Sequence, residues 1–71
     1  MAMASEQLLS VYWTDRDGNQ YCEMKLESDL DLVRSAWERL TMGPAAQMGV
    51  IKQVLLVDSM DCTVLIANPP C

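Results

Sequence analysis

The sequence has no histidine among its 71 residues, and its three glycines are scattered rather than grouped. Histidine is the commonest general base in enzymes, the partner of serine and cysteine nucleophiles, and a frequent metal ligand. No glycine follows a strand-like segment and opens a helix-like one, as glycines of phosphate-binding loops do. We therefore expect a protein that is not an enzyme and that uses neither a metal nor a cofactor.

Basic residues are also scarce. Five Lys and Arg stand against ten Asp and Glu, which leaves a net charge of −5. A chain with a pI near 4.2 is a poor candidate for binding nucleic acid or an anionic membrane through a basic patch. No segment approaches the roughly 20 apolar residues of a membrane-spanning helix. We expect no direct contact with nucleic acid and none with a membrane.

The three cysteines are an odd number, without the CxxC spacing of zinc or redox motifs. Secreted disulfide scaffolds of this size usually carry a denser, even set. The N-terminal residues have neither the basic region nor the long apolar run of a signal peptide. Together these features predict a soluble cytoplasmic protein in a reducing compartment.

One segment, 28–43, has a clear helical period. Its apolar residues recur three and four positions apart and form one stripe: Leu30, Val33, Ala36, Trp37 and Leu40. Ser28 is expected to cap the start of this helix, and Gly43 is expected to end it in the left-handed conformation. Arg34 and Glu38 are expected to form an ion pair on the solvent side. The helix therefore has one apolar face to bury.

Four further segments have the pattern of strands, two before the helix and two after it: 8–14, 20–26, 50–57 and 62–67. Asp17-Gly18 is a strong hairpin signal between the first two. Strict alternation predicts that six residues of these two strands face the helix: Leu9, Val11, Trp13, Cys22, Met24 and Leu26. Tyr12 and Tyr21 are then expected together on the opposite face.

The predicted order is ββαββ, which indicates an α+β fold with a four-stranded antiparallel sheet and one helix packed on one face. Short hairpins pair the first strand with the second and the third with the fourth. Placing the third strand beside the first gives the favoured order 2-1-3-4. The alternative order, 2-1-4-3, would pair the first and fourth strands in parallel. We expect a single domain over 1–71, with frayed tails at 1–6 and 68–71.

This topology gathers acidic residues at one end of the sheet, because the second strand ends there, the helix starts there and the last hairpin turns there. The candidate docking cluster consists of Glu27, Asp29, Asp31, Asp58 and Asp61. Acids are favoured at each of these positions for local reasons, as helix caps, in the first helical turn and in loops. The local interpretation is the stronger one. A docking site for a basic protein partner is the functional alternative, and a weak divalent-cation site is a less favoured one.

The last two strands are apolar on both faces, whereas one helix covers only one face of a sheet. Exposed apolar strands favour self-association. We therefore predict a homodimer with an interface that contains Leu56, Val64 and Ile66. Edge-to-edge strand pairing and sheet stacking are both open as dimer modes.

Three functions are compatible with these features. The favoured hypothesis is a small non-catalytic protein-interaction module that acts as a homodimer. The alternative is an acidic inhibitor or decoy that mimics nucleic acid and binds a nucleic-acid-binding protein. An enzyme with a site at the dimer interface comes last, because the sequence has no histidine and no recognisable catalytic motif.

Overall fold

The computed structural model describes residues 8–69, which form a four-stranded sheet and two helices. In chain order the elements are β1 (Leu9–Asp15), β2 (Gln20–Glu27), α1 (Leu30–Met42), α2 (Pro44–Gln47), β3 (Ile51–Asp58) and β4 (Thr63–Ala67). The sheet order is β2-β1-β3-β4 and every pairing is antiparallel. The predicted α+β fold and its favoured strand order are confirmed.

The described residues include little of the predicted tails. Asn68 and Pro69 follow β4, and Pro69 is buried. The other residues of the predicted tails, 1–6 and 70–71, lie outside the described residues. Within residues 8–69, no helix has the length and apolarity that crossing a bilayer requires.

Helix α1 begins one residue later than predicted, because Asp29 and not Ser28 caps it. The Asp29 Oδ1 atom accepts hydrogen bonds from the backbone N–H groups of Asp31 at 3.0 Å and Leu32 at 3.4 Å. A carboxylate accepts hydrogen bonds from these unpaired N–H groups, as a serine hydroxyl can. Unlike the hydroxyl, it also carries a negative charge that complements the positive end of the helix dipole. The buried stripe agrees with the predicted one at its centre, where Val33, Ala36 and Leu40 are buried.

The end of α1 also differs from the prediction. Gly43 has φ −81° and ψ −173°, which is extended backbone and not the left-handed conformation. Glycine is needed for another reason: a Cβ atom at this position would lie 2.3 Å from the carbonyl oxygen of Arg39. Pro44 then opens the short helix α2, where its missing N–H costs nothing. The connection 41–49 is therefore helical in part.

A β-bulge in β2 reverses the predicted faces of its first half. Val11 pairs with Met24, but the next residue, Tyr12, pairs with Cys22, so Glu23 is an extra residue in the ladder. Each residue of β2 before the bulge consequently points to the face opposite the predicted one. Cys22 is exposed rather than a core thiol. The prediction that Tyr12 and Tyr21 share the face opposite the helix is wrong, because Tyr21 pairs with Trp13 on the helix side.

A second irregularity lies at Leu26, which was expected in the core and is exposed. Its φ angle is +54°, which is a left-handed backbone conformation that residues other than glycine, asparagine and aspartate rarely adopt. The N–H of Leu26 donates a hydrogen bond of 2.9 Å to the Oγ atom of buried Ser10. This bond satisfies a buried hydroxyl and holds β2 to β1 where the regular ladder is interrupted.

The core lies between α1 and the two central strands. Its buried members are Leu9, Val11, Val33, Leu40, Ile51, Val54 and Leu56. Trp13, Met24 and Trp37 are partly buried and pack against this cluster. The predicted Arg34–Glu38 pair does not form, and Arg39 instead makes an ion pair with Glu23. Helix α1 is thus tied to the bulge in β2, at the side of the sheet far from β4.

Candidate functional site

Strand β4 is an edge strand whose apolar side chains are half exposed. Val64, Leu65 and Ile66 are 45%, 50% and 57% exposed, respectively. Leu65 pairs with Leu56 and Ile66 pairs with Leu55, so exposed side chains point to both faces of the sheet. The strand runs over five residues without a charge, and β3 is its one partner within residues 8–69. An uncharged apolar edge of this kind is a template for strand pairing.

The predicted interface residues therefore divide into two groups. Val64 and Ile66 are exposed on β4, as the interface hypothesis requires. Leu56 is only 8% exposed and belongs to the core of the protomer. Its neighbour Leu65 supplies the exposed apolar surface on the helix side of the strand. Whether these residues form a dimer interface stays a prediction.

An apolar groove with a volume of about 260 Å³ runs between α1 and β4. It is lined by Leu9, Leu30, Val33, Arg34, Trp37, Leu56 and Leu65. The groove exists because α1 packs on β1, β2 and β3 and leaves the helix side of β4 open. Leu30, at the start of the predicted stripe, is 52% exposed in consequence. The groove continues directly into the exposed edge of β4.

Sequence reasoning missed this groove, although a signal for it was present. A single helix is about 10 Å wide, whereas four strands at about 4.8 Å spacing span a wider face. One helix cannot cover such a face completely, so part of the apolar stripe and one edge strand had to be left open. The position of Leu65 on the helix side depends on the register of β4, which shifts between Leu56 and Val57.

The candidate acidic residues lie at one end of the sheet, as the topology requires. Leu9 pairs with Glu27 on one side and with Asp58 on the other, so these two acids flank the same residue. Their Cα atoms are therefore separated by about two strand spacings, roughly 10 Å. Asp29 caps α1 at this end, and Asp31 lies in the first turn of the helix. Asp61 belongs to the adjoining β3–β4 loop.

Three of these carboxylates already serve the local backbone. Glu27 Oε2 accepts the N–H of Asp29 at 3.1 Å, and Asp29 caps the helix. Asp58 Oδ1 accepts the N–H groups of Met60 and Cys62, both at 2.9 Å. The carboxylates of Asp31 and Asp61 accept no hydrogen bond within residues 8–69, so they remain available for a partner. No set of three Cys, Asp or Glu side chains in this part of the chain is arranged to hold a metal ion.

The opposite end of the sheet holds a second carboxylate built into a loop. Asp15 Oδ1 accepts the N–H groups of Asp17 and Asn19 at 2.9 Å, and its Oδ2 accepts the hydroxyl of Tyr21 at 3.0 Å. The hydrogen bond from the Asn19 backbone is the main cause that lowers the pKa of Asp15. Donation to Asp15 raises the pKa of Tyr21, since it stabilises the neutral phenol. These groups stabilise the first hairpin and face no cavity.

The apolar edge, the groove and the acidic end thus form one continuous region along β4 and the start of α1. This region has apolar side chains in the middle and carboxylates at one end. Comparison with protein-family models, with curated proteins and with solved structures found no match for this chain.

Proposed function

We propose that this chain is a non-catalytic protein-interaction module that works as a homodimer joined along β4. The observation that carries this proposal is the half-exposed, uncharged edge formed by Val64, Leu65 and Ile66. Burying the exposed half of each such side chain would contribute about 0.8–1.5 kcal/mol, so the three together would contribute roughly 2–4 kcal/mol. That is a large fraction of the stability of a chain of this size. A second copy of β4 satisfies both the apolar side chains and the open backbone groups.

Edge-to-edge pairing is favoured over sheet stacking. Stacking would require exposed apolar side chains on a single face, but Leu65 and Ile66 lie on opposite faces and are exposed to similar extents. On the face away from α1, Val57 is buried and Leu55 is partly buried. An edge is the place where both faces of a strand are open at once. The exposure pattern is therefore that of an edge interface.

An antiparallel pair of β4 strands with its two-fold axis at Leu65 brings no acidic residues of the two protomers together. Thr63 of one protomer would then lie opposite Ala67 of its partner, and Val64 opposite Ile66. Asp61 would approach Pro69 of the partner rather than another acid. Closed two-fold pairing leaves no free β4 edge, so assembly stops at the dimer.

Sedimentation velocity at micromolar concentration tests this proposal. We expect the unmodified chain to sediment as a dimer and the variants Ile66→Glu and Val64→Lys to sediment as monomers. Leu32→Glu is the matched control, because Leu32 is also about half exposed, at 50%, but lies on α1 and away from β4. Circular dichroism verifies that each variant is folded. A monomeric unmodified chain, or a folded Ile66→Glu variant that still dimerises, would refute the proposal.

We also propose a cytoplasmic location, which is supported by the state of the cysteines. Cys22 and Cys62 are free and exposed. Exposed unpaired thiols persist in reducing compartments and are oxidised in secreted proteins. Fractionation of the native host with an antibody against the chain tests the location.

The acidic decoy is the second candidate, supported by the net charge of −5 and by the position of Glu27 and Asp58 on either side of Leu9. A nucleic-acid mimic needs carboxylates in a stripe with phosphate-like spacing. Here Asp15 and Asp17 lie at one end of β1 and Glu27 at the other. Of the charged residues of β2 between them, Glu23 is paired with Arg39 and Lys25 is basic, so the carboxylates form no continuous stripe. A pull-down from the native host separates the two candidates, since retention of a DNA-binding enzyme would favour the decoy.

A further inference from the structure

Dimerisation along β4 does not by itself cover the groove between α1 and β4. Strand pairing takes place in the plane of the sheet, whereas Leu30, Trp37 and Leu65 line an opening above that plane. In an antiparallel pair, the two-fold axis is perpendicular to the sheet, so both copies of α1 lie on the same face. The two grooves then meet at the axis and form one composite groove. Its floor is the pair of β4 strands and its walls are the two α1 helices.

The composite groove is wide enough to hold one further helix. Helix α1 packs on β1, β2 and β3, so its axis lies over β1 or between β1 and β3. With strands about 4.8 Å apart, that position is roughly 10–12 Å from the dimer axis, so the two α1 axes are about 19–24 Å apart. Packed helices lie about 8–10 Å apart, so one helix between two others needs about 16–20 Å. An extended chain would leave much of the groove empty.

The charge around the groove indicates what kind of helix fits. Leu30 lies at the end of the groove where α1 begins, close to Asp29 and Asp31. The two-fold axis places the acidic end of one protomer at one end of the composite groove and that of its partner at the other. A ligand that spans the groove meets carboxylates at both ends, and each protomer has a net charge of −5. The Arg34 side chain also lines the groove, so each helical wall carries a cation between these acidic ends. Basic residues near the two ends of the ligand are therefore complementary to the site.

We propose that the dimer binds one amphipathic helix of a partner protein, with its apolar face on Leu30, Trp37 and Leu65 of both protomers and with basic residues near its two ends. This inference rests on the proposed homodimer. The 13 residues of α1 extend over about 20 Å, so the bound helix has a comparable length. Because a single helix on a two-fold axis contacts both protomers, its binding also strengthens the dimer.

A designed peptide tests the proposal. The probe is an acetylated and amidated helix of about 16 residues, built from Leu and Lys with its leucines three and four positions apart. A peptide with Glu in place of Lys is the control for charge. Calorimetry gives the stoichiometry, and sedimentation with and without peptide gives the mass of the complex.

The expected result is one Lys-containing peptide for two chains, with at least tenfold weaker binding of the Glu-containing peptide. Leu30→Gln should weaken binding at least tenfold, whereas Leu32→Gln should change it less than twofold. Leu30 and Leu32 are 52% and 50% exposed on the same helix, and only Leu30 lines the groove. The double variant Asp31→Asn with Asp61→Asn should weaken binding at low salt and leave the dimer intact.

The possible failures are distinguishable. A dimer that does not bind the peptide, binds one peptide for each chain, or responds equally to the changes at Leu30 and Leu32 would overturn the groove proposal and leave the homodimer. Equal binding of the Glu-containing peptide would overturn the charge argument, and with it the basic partner. A chain that remains a monomer with and without peptide would overturn both proposals.

Discussion

The rings of Trp13 and Tyr21 are stacked across β1 and β2, with centroids 4.4 Å apart and planes inclined by 21°. The two residues are direct partners in the ladder because the bulge at Glu23 brings Tyr21 to the helix side. The Tyr21 hydroxyl donates a hydrogen bond to the Asp15 carboxylate, so this aromatic pair connects the core to the loop of the first hairpin. The Asp15 carboxylate also accepts hydrogen bonds from the backbone N–H groups of Asp17 and Asn19, which define the shape of the loop.

The first prediction concerns acid stability. The pKa of Asp15 is lower in the folded chain than in the unfolded one, chiefly because of the hydrogen bond from the Asn19 backbone. A carboxyl group whose pKa is lowered by folding stabilises the folded state at pH values above its unfolded-state pKa, which is about 3.9. This stabilisation is lost as the pH falls through the folded-state pKa. We expect Asp15→Asn to lower the urea midpoint at pH 7 and to reduce the loss of stability on acidification.

Asp17→Asn is the control for this prediction, because the Asp17 carboxylate accepts no hydrogen bond within residues 8–69. It should leave the acid dependence close to that of the unmodified chain. At alkaline pH the sign is opposite for Tyr21, whose raised pKa stabilises the fold until the pH rises through the folded-state value. Tyr21→Phe should therefore remove the part of the alkaline destabilisation that arises from this phenol. An unchanged acid profile in Asp15→Asn would contradict the assignment.

The second prediction compares the two hairpin loops, which have the same hydrogen bonds around Asp15 and Asp58. Each loop has a residue with positive φ at its fourth position, Gly18 at +90° and Asp61 at +62°. A left-handed conformation costs most non-glycine residues about 1 kcal/mol or more, and costs aspartate less. Asp61→Gly should therefore raise the free energy of unfolding by no more than about 0.5 kcal/mol, after the larger entropy of unfolded glycine is deducted.

Gly18→Ala should have the opposite effect, a loss of about 1 kcal/mol. A Cβ atom at Gly18 meets no heavy atom within 4 Å, so this cost would come from the backbone alone. Urea unfolding of both variants gives the two values. If Asp61→Gly destabilised the chain, the Asp61 side chain would have a structural role that its exposed position does not indicate.

The third prediction concerns the buried hydroxyl of Ser10. Ser10→Ala removes the acceptor of the Leu26 N–H and leaves this donor unsatisfied near the sheet. Such a loss costs about 1–3 kcal/mol. Ser59→Ala, at an exposed loop position, is the control and should change stability by less than about 0.5 kcal/mol. Hydrogen exchange of the Leu26 amide should become faster in Ser10→Ala alone, and equal exchange rates in both variants would refute this role.

The fourth prediction concerns the junction between α1 and α2. Gly43→Ala would place a Cβ atom 2.3 Å from the Arg39 carbonyl oxygen, which belongs to the backbone and cannot move alone. We expect the free energy of unfolding to fall by more than about 2 kcal/mol, as it does when an oversized side chain is forced into a packed core. The loss should exceed that of Gly18→Ala, where the space is open. Equal losses in calorimetric unfolding would mean that the junction shifts easily.

The sequence by itself determined the four strands, helix α1 and their order, although not the short helix α2. The stripe from Val33 to Leu40 predicts α1 because helical periodicity is a local property of the chain. Short loops force β1 beside β2 and β3 beside β4, and the direction of the helix return favours β3 beside β1. The acidic end follows from the same connectivity, since the register places Glu27 and Asp58 on either side of Leu9.

Only the tertiary structure decided which face each residue of β2 and β4 takes. The extra residues at Glu23 and Val64 lie in ladders between strands, and a single misplaced residue reverses every side chain beyond it. The faces predicted for Tyr21 and Cys22 are wrong for this reason. Leu26 and Leu30 match the apolar pattern but remain exposed, one because its backbone is left-handed and the other because α1 leaves β4 uncovered. The groove depends on that placement of the helix across the sheet, and no local pattern in the chain encodes it.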